Sequence, residues 1–201
     1  MRGLLTFVAL QVGWFACVLG GARENVWIGP LVVAVLILGH LVSFAWPRRN
    51  ARSGKFLRHE IVTLLSFGLA GTFADSLQSG LGLLAFHGSP SSGPGVWLAP
   101  PWIAALWFHF GTVLTGPLAP LRDRRLLTVA LCLVAAPLSY AGGGRLGAVA
   151  FHPAGWPSVL SIGLVWTTIL SLALRWAVPP RSPEGPESQT RAPGWAPPME
   201  G

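Results

Sequence analysis

Charge is scarce in this chain of 201 residues: only 10% are Asp, Glu, Lys or Arg, while 52% are hydrophobic and ten are Trp. Soluble domains carry about 25% charged residues, so a water-soluble fold is excluded. Cysteine is nearly absent. Cys17 and Cys132 both lie in apolar runs without CxxC or His/Cys spacing, which argues against a disulfide framework or a zinc site and leaves small core residues as their plain reading. No metal or redox-cofactor motif is visible. The tract Gly142-Gly143-Gly144 lacks the Lys-Ser/Thr ending of a phosphate-binding loop. The alternating pattern of a β-barrel is missing as well. A net charge of +7 and a pI near 11.3 would point a soluble protein toward nucleic acid. Here the basic residues sit between hydrophobic runs and read as topology signals, so no nucleic-acid partner is expected.

What is present is a series of apolar runs, at 4–21, 28–46, 61–86, 101–119, 126–142 and 156–176. A spanning segment must satisfy its own backbone hydrogen bonds, so the expected architecture is all-α, a polytopic membrane protein of six transmembrane helices. The first run resembles a cleavable signal peptide, but Gln11 and Trp14 interrupt it and favour its retention. Residues 1–177 form the expected membrane domain. Residues 178–201, rich in Pro with Gly, Ser and Glu, cannot bury enough apolar surface to fold alone and read as a disordered cytoplasmic tail.

Orientation follows from the loops. The stretch 47–59 carries Arg48, Arg49, Arg52, Lys55 and Arg58 with no acidic residue, and Arg122, Arg124 and Arg125 lie between runs four and five, whereas 87–100 has neither Lys nor Arg. With both termini cytoplasmic, all of the 14 basic residues except Arg23 and Arg145 fall inside. Trp27, Trp46, Trp97, Trp102, Trp156 and Trp176 are expected at the membrane boundaries, and Trp14, Trp107 and Trp166 deeper. Trp14-Phe15 and Trp107-Phe108, in runs one and four, hint at an inverted repeat, although two matching dipeptides are not a repeat.

The third run contains Asp75. An intramembrane carboxylate is costly unless protonated, paired or wetted. Gln78 and Ser79 share its helical face by spacing. At ~1.5 Å per residue Asp75 lies ~22 Å above the start of its run, Tyr140 ~21 Å up run five, and His109 ~12 Å below the outer end of run four. The three could share one layer in the outer half of the membrane, with Arg145 at the boundary as counter-ion. Asp75 and His109 are therefore the candidate catalytic residues, and Gln78, Tyr140 and Arg145 the candidate substrate contacts. The competing reading is a buried ion pair that fixes helix packing. His40 and Gln11 are expected to bridge helices by hydrogen bonds, and Glu60 to sit at the interface near a helix N-terminus. Gly68, Gly71, Gly80, Gly82 and Gly143-x-x-x-Gly147 suggest close helix packing, and Pro117, Pro120 and Pro137 kinks or stops.

Several stretches together have a familiar order: Gly13-Trp14-Phe15-Ala16-Cys17-Val18-Leu19-Gly20, Asp75-Ser76-Leu77 with Gly80-Leu81-Gly82, Trp107-Phe108-His109-Phe110, Pro137-Leu138-Ser139-Tyr140-Ala141-Gly142 and Arg145-Leu146-Gly147-Ala148. Over about residues 4–176 the chain resembles the bacterial inner-membrane family catalogued as domain of unknown function 2878. It departs at Thr112-Val113-Leu114-Thr115-Gly116-Pro117, where the family carries a Thr-Leu-Asn type sequence. The resemblance implies a small multi-pass protein of the bacterial inner membrane, without an established reaction, associated with genes for fatty-acyl and membrane-lipid modification. The expected partner is membrane lipid, and protein partners are not identified. Three functions stay open: handling or modifying a lipid or hydrophobic metabolite, proton-coupled transport, and a structural scaffold.

Overall fold

The structure, a computed structural model, describes residues 2–45, 52–89, 98–151 and 155–178. Trp46, Arg48, Arg49, Trp97 and the tail from 179 onward lie outside the described residues. Six α-helices follow the apolar runs: α1 (Arg2–Ala22), α2 (Ile28–Ala45), α3 (Arg52–Gly80), α4 (Pro101–Gly111), α5 (Arg125–Arg145) and α6 (Trp156–Ala177). Four of them contain segments long and apolar enough to cross a membrane, Gly3–Ala22, Gly54–Gly80, Arg125–Arg145 and Trp156–Ala177, and Ile28–Ser43 is a shorter apolar helix. The chain is thus an all-helical protein with four candidate membrane-spanning helices. Many large apolar side chains face outward, Leu4, Leu38, Phe73, Leu126 and Leu138 among them, as a lipid solvent requires.

Two boundaries differ from the sequence reading. α3 starts upstream of the apolar run, at Arg52, and stops at Gly80. α4 spans only 11 residues, ~16 Å, against an expected run to 119. The chain ahead of Pro117 cannot continue as regular helix because proline disfavours the α conformation of its predecessor and lacks an N–H. Turns therefore lead from Thr112 to a 3-10 turn at Ala119–Asp123. Pro137, by contrast, neither stops nor ends α5, which continues through it.

Small residues set the helix spacing. A Cβ at Gly29 would strike the Cys17 backbone, one at Gly68 the Phe108 ring, and one at Gly71 the Trp107 ring. These contacts lock α1 on α2 and α3 on α4. α4 packs on α1, α2 and α3, α6 on α3 and α5, and the helices form a broken ring: among the described residues α1 and α5 share no extended interface.

A feature absent from the sequence reading closes one end. Leu84–Phe86 (β1) and Val149–Phe151 (β2) pair antiparallel, with Leu84 opposite Phe151, Ala85 opposite Ala150 and Phe86 opposite Val149. Each strand leaves its helix by the same turn. Gly82 (φ +69°) and Gly147 (φ +84°) take the left-handed conformation, and Leu83 N–H donates to the Gln78 carbonyl as Ala148 N–H does to Gly143, both at 2.9 Å. This is the Schellman arrangement, which glycine adopts without strain. The sequence repeats with it: Leu81-Gly82-Leu83-Leu84-Ala85-Phe86-His87 and Leu146-Gly147-Ala148-Val149-Ala150-Phe151-His152. A local two-fold through the Ala85–Ala150 pair relates the two segments. The repeat therefore joins α3 with α5, and the Trp-Phe dipeptides of α1 and α4 play no part in it.

Candidate functional site

Asp75 and Tyr140 each stand seven residues before the turn glycine of their segment, so they are equivalent positions in this repeat. They meet. Tyr140 donates its hydroxyl to Asp75 Oδ2 at 2.6 Å. The same oxygen accepts the Trp107 indole N–H at 2.8 Å, and Oδ1 accepts the Gln78 amide at 3.0 Å. An indole can only donate, so Oδ2 is an acceptor. The Gln78 orientation is fixed in turn by Ser161, which donates to Gln78 Oε1 at 2.7 Å and shares its proton with the Ser158 carbonyl. Asp75 has no exposed surface. Three neutral donors from α3, α4 and α5 thus converge on one sealed carboxyl, using three of its roughly four acceptor positions.

Local packing explains this placement. Gly71, one turn before Asp75, leaves the room in which the Trp107 ring lies. Trp107 also stacks on Trp166, with centroids 4.2 Å apart and planes 21° apart, and Phe110 meets Trp166 edge-on at 4.7 Å. The indole is packed between α3 and α6 with its N–H on the carboxyl.

The other expected members lie elsewhere. Arg145 is exposed at the end of α5, and no ion pair joins it to Asp75 among the described residues. His109 is buried but follows Trp107 by two residues, about 200° around the helix. It faces Gly13 of α1, where a Cβ would collide with its ring, and its Nδ1 has no hydrogen-bond partner. The layer gathers Asp75, Gln78 and Tyr140 without His109 or Arg145, and adds Trp107 and Ser161. The Trp107 role had no signal in the linear sequence, because an indole in an apolar run looks like core.

Further corrections concern single residues. Glu60 is not at a helix N-terminus: α3 starts at Arg52, and Glu60 is buried among the helices, accepting from Thr115 at 2.9 Å and lying 2.9 Å from His40 Nε2. His40 thereby links α2 to α3, as expected. Gln11 makes no such link and instead lies exposed on the wall of a cavity. Trp102 is buried, donating to the His87 carbonyl at 3.0 Å, whereas Trp27, Trp156 and Trp176 are exposed near helix ends.

The cavity measures about 520 Å³ and lies inside the broken ring of helices. Its walls are almost wholly apolar, with Leu10, Ile103, Leu106, Phe110, Ala136 and Leu170 among them, and Tyr140, with Asp75 sealed behind it, forms its polar corner. It has the size and lining of a small-molecule site. Phe7 and Gln11 of α1 and Leu131 and Ala135 of α5 line it and are also exposed, so it opens outward between α1 and α5. One hydrogen bond crosses this opening, from Trp14 Nε1 to Ser139 Oγ at 3.0 Å. Among the described residues no three His, Cys, Asp or Glu side chains are grouped to hold a metal ion.

No curated protein and no solved structure matches the chain. A family model described as "Protein of unknown function (DUF2878)" matches residues 3–172.

Proposed function

The chain belongs to this family of unknown function, and we propose that it is a multi-pass membrane protein that takes a lipid or hydrophobic metabolite from the bilayer into the cavity between α1, α4, α5 and α6. The observation that carries the reading is the apolar cavity with a single polar corner, open on the outward side where α1 and α5 part. In a bilayer a hydrocarbon tail is already in an apolar solvent, so moving it into the cavity gains little hydrophobic free energy. Selectivity then falls to the polar corner built on Asp75. Basic residues around the start of α3, at the start of α5 and at the end of α6 support six crossings with both termini cytoplasmic, the short α4 and the turns after it together making the fourth. The bacterial inner membrane is the proposed location.

Lipid mass spectrometry of cells lacking the protein, restored with the native chain or with Asp75→Asn at equal expression, tests the reading. A lipid or hydrophobic species that changes on deletion and returns only with the native chain supports it. An unchanged lipid profile in all three strains refutes it.

A further inference from the structure

We infer that the cleft between the 3-10 turn, the start of α5 and the end of α6 binds a phosphate group, held by Arg122, Arg125 and Arg175. The site is separate from the central cavity and does not depend on what that cavity takes.

The cleft measures about 130 Å³, against about 520 Å³ for the central cavity, and its character is opposite. Five of its eight lining residues are polar, Arg122, Arg125, Thr128, Ser171 and Arg175, and none is a carboxylate. Local structure brings them together. The 3-10 turn at Ala119–Asp123 packs on both α5 and α6, and Thr128 ties it to α5 by donating its hydroxyl to the Leu121 carbonyl at 2.9 Å. Arg122 is thereby set beside Arg125 at the start of α5 and Arg175 in the last turn of α6.

Charge then points to an anion. The Arg122 side chain is only 18% exposed, and the carboxylate of Asp123, half-exposed and outside the lining, lies 4.0 Å from its Nη1, beyond hydrogen-bonding distance. Its buried Nε has no hydrogen-bond partner among the described residues. The lining carries three positive charges and Asp123 returns one. A cation partly withdrawn from water is stabilised by an anion beside it more than it would be at an open surface. Guanidinium groups present N–H donors in planar forks that match phosphate oxygens two at a time, and three forks offer more donors than the two oxygens of a carboxylate can use. Ser171 adds a hydroxyl that can donate as well. Membrane orientation accounts for basic residues on this side of the protein, but it does not require three of them to line one cleft. Basic clefts between membrane helices take the phosphates of lipid head groups. Leu126, Leu172 and Trp176, each next in sequence to a lining residue, are exposed and apolar, which puts lipid beside this cleft. The same donors suit phosphate from solution, so the experiment separates the two sources.

The test uses the full chain in phosphatidylcholine nanodiscs and the rate at which phenylglyoxal, an uncharged arginine reagent, modifies Arg125 and Arg175, mapped by peptide mass spectrometry. Both residues are exposed, and Arg58, exposed in the early turns of α3, reports the general effect of surface charge. At constant ionic strength the nanodiscs receive millimolar inorganic phosphate, or phosphatidate, or oleate at the same surface potential as the phosphatidate. One of the two phosphate sources is expected to slow Arg125 and Arg175 about fivefold or more while Arg58 changes less than about twofold. Slowing by phosphatidate identifies a lipid head group as the occupant, and slowing by inorganic phosphate a soluble phosphate. In Arg122→Gln the same protection of Arg175 should need about five times as much of that source, the share one basic residue contributes near a membrane surface. Near-ultraviolet circular dichroism shows whether the variant is folded, and the native comparison needs no variant. Equal slowing of Arg58, equal slowing by oleate, or no slowing by either phosphate source overturns the inference. Slow modification in plain phosphatidylcholine that is relieved by Glu184→Gln with Glu187→Gln also overturns it, because the chain's own carboxylates then fill the cleft.

Discussion

Replacing Gly71 by alanine should dismantle the polar corner without touching any of its polar atoms. The added Cβ falls inside the Trp107 ring, and the ring cannot retreat, because Trp166 is stacked on it at 4.2 Å. Trp107 must move and its N–H leaves Asp75 Oδ2, from which it is now 2.8 Å. A hydrogen bond to a charged partner contributes about 1.5–3 kcal/mol and overpacking costs about 1–3 kcal/mol, against about 1 kcal/mol gained by alanine over glycine in a helix. The net is a destabilisation of about 2–5 kcal/mol. Gly39→Ala is the matched control, since Gly39 lies in α2 with nothing within 4 Å of its would-be Cβ. It should be neutral or stabilising by up to about 1 kcal/mol. Equilibrium unfolding in mixed micelles measures both, with near-ultraviolet circular dichroism reporting the stacked indoles. If Gly71→Ala unfolds at the same midpoint as Gly39→Ala with its dichroism unchanged, the account of how Trp107 is held is wrong.

His40→Ala should destabilise the protein by about 3–5 kcal/mol, because it takes from the buried Glu60 its partner on α2, and Glu60→Gln should cost less, since it removes the charge while keeping the shape; the same unfolding experiment ranks them. Trp14→Phe and Ser139→Ala each remove the hydrogen bond from Trp14 to Ser139 across the α1–α5 opening. Each should speed entry of a photoactivatable hydrocarbon into the cavity about fivefold, and the double variant should be no faster than either single one, as photolabelling at short times will show. Membrane-permeant maleimide should modify Cys132, which lines the cavity, and not Cys17, which is sealed against Gly29. A hydrocarbon that fills the cavity should slow the reaction at Cys132; intact mass followed by tryptic peptide mapping reads both sites.

The six helices were legible because apolar runs of spanning length leave the backbone few alternatives, and the pairing of Asp75 with Gln78 followed from helical spacing. The packing role of Gly68 and Gly71 was legible too, although not that Gly71 makes a seat for the indole serving Asp75. Depth along a helix placed Tyr140 and His109 at one level, but azimuth decides contact, and only Tyr140 turns inward to the carboxyl. Arg145 was chosen by charge, yet the site satisfies its carboxyl with neutral donors, a solution with no signature in charge patterning. Glu60 stands at a helix start only if α3 begins where the apolar run does, and α3 begins at Arg52. Three-residue strands are too short for alternation to register, although the repeated Leu-Gly-x-x-Ala-Phe-His marks them in retrospect.

The two-fold relation between the segments carrying α3 and α5 has a consequence for what kind of molecule can hold such a site. Were the two segments separate identical chains, symmetry would oblige each residue at the axis to face its own copy. The position would then hold two carboxyls competing for one proton, or two phenols without an anion to orient them. Covalent linkage lifts that obligation. Within one chain the matched positions hold different residues, Asp75 and Tyr140, and the seam between the two segments has a polarity, with a hydroxyl on one side pointing at an acceptor on the other.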